Sequence, residues 1–215
     1  CEDVTGFVLW RAATTAALRT LKEENVLRKS IFLELGTGLG ALGFLSLKQG
    51  ASFGVLTDKE LPVLKLTQQN AELNGCADRT ECVCADFTAE RLPFRRQFFD
   101  VQIASDVLFW DGLADPLLRS LAGEETNRAK LSIVGHEIRR AVYRGPDGEP
   151  KLEEEDSALR KFIDLAKANT KIASVSERYF KDKGPCDDDP EVSSAAIVLR
   201  SQEDISEPPK KQRKL

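Results

Sequence analysis

The stretch Ile31-Phe32-Leu33-Glu34-Leu35-Gly36-Thr37-Gly38-Leu39-Gly40 runs a short apolar segment into a glycine-rich loop, and its reading decides the fold. Leu42, Leu45 and Leu47 follow at helical spacing, up to Gly50, a frequent helix terminator. A strand, a glycine loop and a helix in this order aim backbone N–H groups and a helix N-terminus at a polar or anionic ligand. Glycines belong there because a Cβ blocks close approach or forbids the required backbone angles.

The alternation extends outward from this loop. Upstream, Trp10, Ala13, Ala17, Leu18 and Leu21 predict a helix from Phe7 to about Leu21. Downstream, Phe53 to Leu56 reads as a strand closed by Thr57-Asp58, and Leu61 to Asn74 as a helix ended by Asn74-Gly75. Thr80 to Ala85 and Val101 to Ser105 are strands ending in Asp86 and Asp106. A helix from Leu113 to Ala122 and a strand from Leu131 to Val134 complete the series. Strands separated by helices imply parallel pairing with right-handed crossovers. Arg144 to Asp156 reads as a charged loop, and Leu159 to Ala168 as a helix. Two strands then follow without a helix, Ile172 to Ser176 and Ala195 to Leu199, joined by the acidic loop Asp182 to Glu191. Consecutive strands predict an antiparallel hairpin. The expected class is α/β: a Rossmann-like, seven-stranded, mostly parallel sheet with a C-terminal antiparallel hairpin and helices on both faces. Residues 1–200 form the expected domain, and 201–215 a disordered basic tail.

Composition narrows the function classes. Of 215 residues, 41% are apolar and 31% charged, which describes a globular domain. The net charge of -4 argues against a fold-wide nucleic-acid footprint. No apolar run approaches the ~20 residues that cross a bilayer, so no membrane partner is expected. Five cysteines, odd in number and irregular in spacing, suit reduced thiols of a cytoplasmic or nuclear protein. Cys82 and Cys84 share one face of a strand, and lacking a second pair or a nearby His they read as core thiols; no metal site is expected. There is no Met, so Cys1 is expected to lie inside a longer chain. Lys210, Lys211, Arg213 and Lys214 in the tail read either as a nuclear import signal, with an import receptor as partner, or as a solubilising end.

Taken alone, the loop admits two ligands, because Gly36-x-Gly38-x-x-Ala41 also satisfies a dinucleotide fingerprint and Asp58 would hold ribose hydroxyls in either case. Three features favour S-adenosylmethionine. Glu34 stands two residues before the first glycine, where the methyltransferase form of the loop carries its acid. Asp86-Phe87 pairs an acid with a ring face, suited to adenine. The final hairpin leaves no residues for a separate substrate domain. Glu34, Asp58, Asp86 and Asp106 fall at successive strand C-termini, the edge where open α/β sheets bind ligands.

Gly6-x-x-x-Trp10, the glycine loop, Thr57-Asp58, Asn70-x-x-x-Asn74 and Ala104-Ser105-Asp106-Val107-Leu108-Phe109 together resemble the seven-strand protein-lysine methyltransferase family. That group includes the valosin-containing-protein and heat-shock-protein lysine methyltransferases. The resemblance covers roughly Val4 to Arg139 and implies a protein substrate. It implies that Trp10, Glu34, Gly36, Thr37, Gly38, Gly40, Asp58, Asp86, Phe87 and Ala104 serve the cofactor. Asp106 would stand beside the substrate amine as a catalytic residue. The fourth position of its motif is Phe109, where the family carries Tyr, so no hydroxyl faces the incoming nitrogen. This departure keeps arginine and histidine open as acceptors beside lysine, together with a catalytically degenerate binding module.

A substrate lysine has a solution pKa near ~10.4 and must lose its proton before attack. Desolvation between aromatic walls, for which Phe109 and Trp110 are the candidates, lowers that value. Asp106 would orient the nitrogen or guide its proton away. Phe109, Trp110 and Trp10 read equally as packing residues. Arg139 is substrate-facing or structural, and His136 is read as structural before catalytic.

Overall fold

Alternating side chains along the central strands separate two apolar layers, one on each face of a sheet. The computed structural model describes residues 5–94, 99–122, 129–140, 142–146, 148–182 and 192–202. The tail cations Lys210, Lys211, Arg213 and Lys214, Cys1, Cys186 and nearly all of the acidic loop before Val192 lie outside these residues.

The first half of the chain comprises α1 (Arg11–Glu23), β1 (Ile31–Leu35), α2 (Ala41–Lys48), β2 (Phe53–Asp58), α3 (Leu61–Leu73) and β3 (Thr80–Cys84). Then follow β4 (Val101–Ser105), α4 (Ala114–Ala122) and β5 (Leu131–Glu137). The remainder comprises β6 (Val142–Arg144), β7 (Pro150–Leu152), α5 (Ser157–Ala168), β8 (Ile172–Asp182) and β9 (Val192–Ser201). The main sheet has seven strands in the order β3-β2-β1-β4-β5-β9-β8. The first five pair in parallel, whereas β9 runs antiparallel to both β5 and β8. Leu33, Leu35, Ala104, Val134 and Ile197 face the layer built with α4 and α5. Phe32, Ile103, Ile133 and Val198 face the layer built with α1 and α2. A one-residue alternation on each strand thus separates the two layers.

Chain order reverses between β1 and β4, which pair through Leu35 and Ala104. The C-terminal ends of these neighbouring strands open the crevice that doubly wound sheets use for ligands. On the α1 side, Gly135 of β5 allows the helix to sit directly on the sheet. A Cβ there would lie 2.2 Å from the Ala13 carbonyl oxygen. Gly135→Ala should therefore cost about 1–3 kcal/mol by overpacking, read as a lower denaturant midpoint at unchanged slope.

Four expectations need correction. The first helix begins at Arg11, with Trp10 as its N-cap and a separate 3-10 turn at Thr5–Phe7. Phe7 and Trp10 match helical spacing, but the segment between them leaves the helix path to line a cleft. The expected loop from Arg144 to Asp156 contains most of a second, two-stranded sheet, β6–β7, whose three-residue strands are too short to show alternation. The final strands are longer than expected. As an edge strand, β8 tolerates Glu177, Arg178 and Lys181, residues that mask its periodicity. Arg178 pairs with Glu23, the last residue of α1, and with its C-cap Glu24, and Arg200 with Glu24, tying the hairpin to that helix. Lastly, Cys84 is exposed and Cys82 half-buried because β3 is the opposite sheet edge, so neither is a fully buried core thiol.

Candidate cofactor and acceptor site

The glycine loop is held from three directions. Gly36, Gly38 and Gly40 have φ of 65°, 52° and 84°, a region that side chains disfavour. Glu34, 1% exposed, accepts the Thr37 hydroxyl at 2.8 Å beneath the loop. Burial raises its carboxyl from 4.5 to about 8; the hydrogen bonds from Thr37 and the Gly43 N–H oppose the rise, and the Asp58 charge adds to it. Asp58 accepts the Gly38 N–H at 3.1 Å and the Glu60 N–H at 3.0 Å. From α3, Thr67 donates to the Gly38 carbonyl at 2.6 Å, and Asn70 to that of Leu39 at 3.1 Å. Asn70 thus gains a physical role in its motif, as an anchor of the loop backbone.

Across the crevice, Asp106 occupies a left-handed conformation at φ 58°, which Asp tolerates better than most residues. Its carboxylate takes both arms of Arg139, Nη1 at 2.9 Å and Nη2 at 2.5 Å, and the Glu137 N–H at 3.1 Å. The Arg139 guanidinium lies 4.8 Å from the Trp10 ring centroid, within cation–π range. Behind them His136 is 1% exposed, with Nε2 2.8 Å from Asp156 Oδ2 and Nδ1 3.8 Å from Asp106 Oδ1. Asp156 also accepts the Arg139 N–H at 2.6 Å and the Leu159 N–H at 3.0 Å, capping α5. Burial works to raise the Asp156 carboxyl, but these hydrogen bonds and His136 hold it below the ordinary carboxylate value.

One cleft is lined by Trp10, Glu34, Gly36, Thr37, Gly38, Asp58, Asp86, Phe87, Asp106, Phe109 and Arg139. Asp86 turns partly on itself, accepting the Thr88 N–H and hydroxyl at 2.8 and 2.7 Å. Three expected residues stand elsewhere. Gly40 is the N-cap of α2, against Phe44 and Thr67. Ala104 is fully buried within the sheet core, its side chain pointing to the α4–α5 layer. Trp110 is 57% exposed and does not line the cleft; its ring covers Gly112, where a Cβ would come within 1.9 Å. Asp106, with its carboxylate held by Arg139, is less free to meet a substrate amine than its motif suggests. Sequence reasoning missed Thr14 and Ser105, whose hydroxyls meet at 3.1 Å on the cleft wall, and Asp156, read as the end of a loop.

The residues present fit S-adenosylmethionine better than a dinucleotide. Five acidic residues, Glu34, Asp58, Glu60, Asp86 and Asp106, line the cleft against two basic ones, Lys59 and Arg139. Glu34, whose carboxyl is raised to about 8, and Asp106, paired with Arg139, bring no free charge to the cleft, which leaves Asp58, Glu60 and Asp86 beside Lys59. Such a wall disfavours a pyrophosphate and suits a sulfonium. A Cβ at Gly36 would lie 2.6 Å from Val107 Cγ1 and one at Gly38 3.2 Å from the Gly6 carbonyl oxygen, so glycine lets the loop pack against both, and Asp58 retains lone pairs for ribose hydroxyls.

Comparison with known proteins agrees with this chemistry. A family model described as lysine methyltransferase matches residues 2–144. The chain is 24% identical over 178 residues to the histidine protein methyltransferase 1 homolog of Dictyostelium discoideum, covering 82% of this chain and 53% of that protein. It is 30% identical over 125 residues to the ribosomal protein L11 methyltransferase of Desulfitobacterium hafniense, covering 58% of this chain and 38% of that protein. The chain thus spans about half or less of these curated relatives. Among solved structures, magnesium protoporphyrin IX methyltransferase of Synechocystis with bound S-adenosylmethionine superposes at TM-score 0.57 and 15% identity, covering 87% and 78% of the two chains. An O-methyltransferase of Bacillus cereus gives 0.55 at 14% identity, covering 90% and 83%. These two likenesses establish the shared fold. The chain belongs to the lysine methyltransferase family.

Proposed function

We propose that the protein transfers a methyl group from S-adenosylmethionine to a side-chain nitrogen of another protein, with lysine as the acceptor. The observation carrying this reading is the open apolar mouth of the cleft. Val8, Leu9 and Phe109 line it and are 49%, 48% and 51% exposed, beside the pair of buried Asp106 and part-exposed Arg139. A half-exposed apolar rim suits a side chain presented from a macromolecular surface. The family description supports lysine.

Glu34 and Asp58 hold the loop in shape, and Phe87 offers a ring face to the adenine. When bound, S-adenosylmethionine supplies a methyl whose bond electrons return to sulfur as the acceptor nitrogen's lone pair forms the new bond. The nitrogen sheds one proton. Arg139 occupies the Asp106 carboxylate, so the proton leaves a lysine ammonium through the open mouth to water. Phe109 presents a ring edge or face to the entering cation, an interaction worth about 0.5–2 kcal/mol. Phe109→Ala should therefore lower kcat/KM about tenfold while leaving the S-adenosylmethionine Kd within a few-fold. An equal loss of both would move Phe109 into the cofactor site.

A second reading, histidine as acceptor, has one specific observation in its favour. With no hydroxyl at position 109 and Asp106 engaged, the cleft suits an imidazole that is already neutral near pH 7. The test of both is transfer of labelled methyl from S-adenosylmethionine into a cell extract, with mass spectrometry of the labelled residue. Labelled lysine supports the proposal, labelled histidine the second reading. Label confined to small molecules or nucleic acid contradicts both.

A further inference from the structure

Asp156 lies 17 positions beyond Arg139 in the chain, yet it holds that residue's main chain. Past the last sheet contact, Ile138 N–H to the Ser193 carbonyl at 2.9 Å, the chain leaves for β6–β7 and returns at Asp156. One carboxylate oxygen closes this excursion. Oδ2 takes the Arg139 N–H at 2.6 Å and His136 Nε2 at 2.8 Å, while Oδ1 caps α5 through Leu159. Buried His136 fills the space between Asp156 and Asp106, and its Nδ1 has no hydrogen-bond partner. With the Arg139 main chain held there, its fork meets both oxygens of Asp106 and its face covers Trp10.

We propose that Asp156 is a positioning residue for methyl transfer: through the Arg139 main chain and His136 it holds the Arg139 guanidinium between Asp106 and Trp10, as the wall separating cofactor from acceptor. The proposal rests on reading this cleft as a methyltransferase active site. Asp156 touches no reacting atom. Its influence is geometric, and a displacement of about 1 Å near reacting groups costs on the order of a hundredfold in rate.

Asp156→Asn isolates this role. Asn caps a helix as well as Asp does, and its amide can still meet His136 in the other tautomer, but it turns an N–H toward the Arg139 N–H. Asp156→Ser, a cap too short to reach Arg139, serves as the second variant. Trp10 and Trp110 are the only tryptophans, so a Trp110→Phe background makes Trp10 emission a direct report on the guanidinium above it. Arg139→Gln supplies the emission of an uncovered ring. The expected result is that Asp156→Asn shifts Trp10 emission to the Arg139→Gln value, with a thermal midpoint near that of the parent. In the parent background it lowers kcat about a hundredfold while the S-adenosylmethionine Kd changes less than tenfold. Trp10 emission unmoved by both Asp156 variants, or parent-like kcat in both, overturns the proposal. Absence of methyl transfer by the parent itself overturns the function proposed above, and the emission comparison still decides whether Asp156 holds Arg139.

Discussion

Gly38→Arg should abolish S-adenosylmethionine binding, raising Kd about a hundredfold or more, equivalent to roughly 2.7 kcal/mol. Two independent features of the position combine. Its φ of 52° is a region where a side chain costs about 1–2 kcal/mol, and a Cβ would lie 3.2 Å from the Gly6 carbonyl oxygen. Gly38 and Gly6 both line the cleft, so a long cationic side chain at position 38 adds bulk and positive charge to the wall where a sulfonium is expected. The loop anchors at Asp58 and Thr67 act on Gly38 backbone atoms and survive the change, so the fold should persist with a midpoint lowered by a few degrees. Calorimetric titration of a demonstrably folded variant checks this. Affinity within a few-fold of the parent would place the cofactor away from the loop.

The second large effect concerns pH. Glu34 is buried, and its carboxyl rises from 4.5 to about 8, so the folded state holds the proton more tightly than the unfolded chain. The resulting stability is fully present below about pH 4.5 and is lost as pH rises through about 8. Within that window the free energy of unfolding should fall by up to about 1.4 kcal/mol per pH unit from this group alone. Glu34→Gln keeps a neutral acceptor for Thr37 and Gly43 and removes the titration. Denaturant unfolding from pH 5 to 8 should therefore show the parent losing stability relative to the variant. Asp156 works in the opposite sense and in a different range: its carboxyl is lowered, so its contribution disappears only as pH falls through the acid range. Parallel parent and variant curves from pH 5 to 8 would contradict a protonated Glu34 beneath the loop.

The parts of this molecule legible in its sequence are those encoded within a few residues. The glycine loop, the acids that close β1, β2 and β4 and follow β3, and the antiparallel ending each carry a local signal of spacing or punctuation. What escaped depends on pairing across the chain. Asp156 resembles any acid at a helix start, and only folding brings it to His136 and Arg139, 20 and 17 positions away. Trp110 follows Phe109 directly and shared its assignment, yet in this turn adjacent side chains diverge, and the Trp110 ring settles on Gly112. Ala104 sits in a motif beside Ser105 and Asp106, but strand alternation turns it into the core and gives Ser105 the cleft. Asp106 was legible as a residue of the cleft. Its bidentate partner was not, because nothing local specifies that Arg139 folds back onto it.

The most direct test of the central claim is calorimetric titration of the parent protein with S-adenosylmethionine and, separately, with NAD. The acid-lined crevice predicts one-to-one binding of S-adenosylmethionine and none of NAD at concentrations well above micromolar. No heat with S-adenosylmethionine, or tighter binding of NAD, would contradict it.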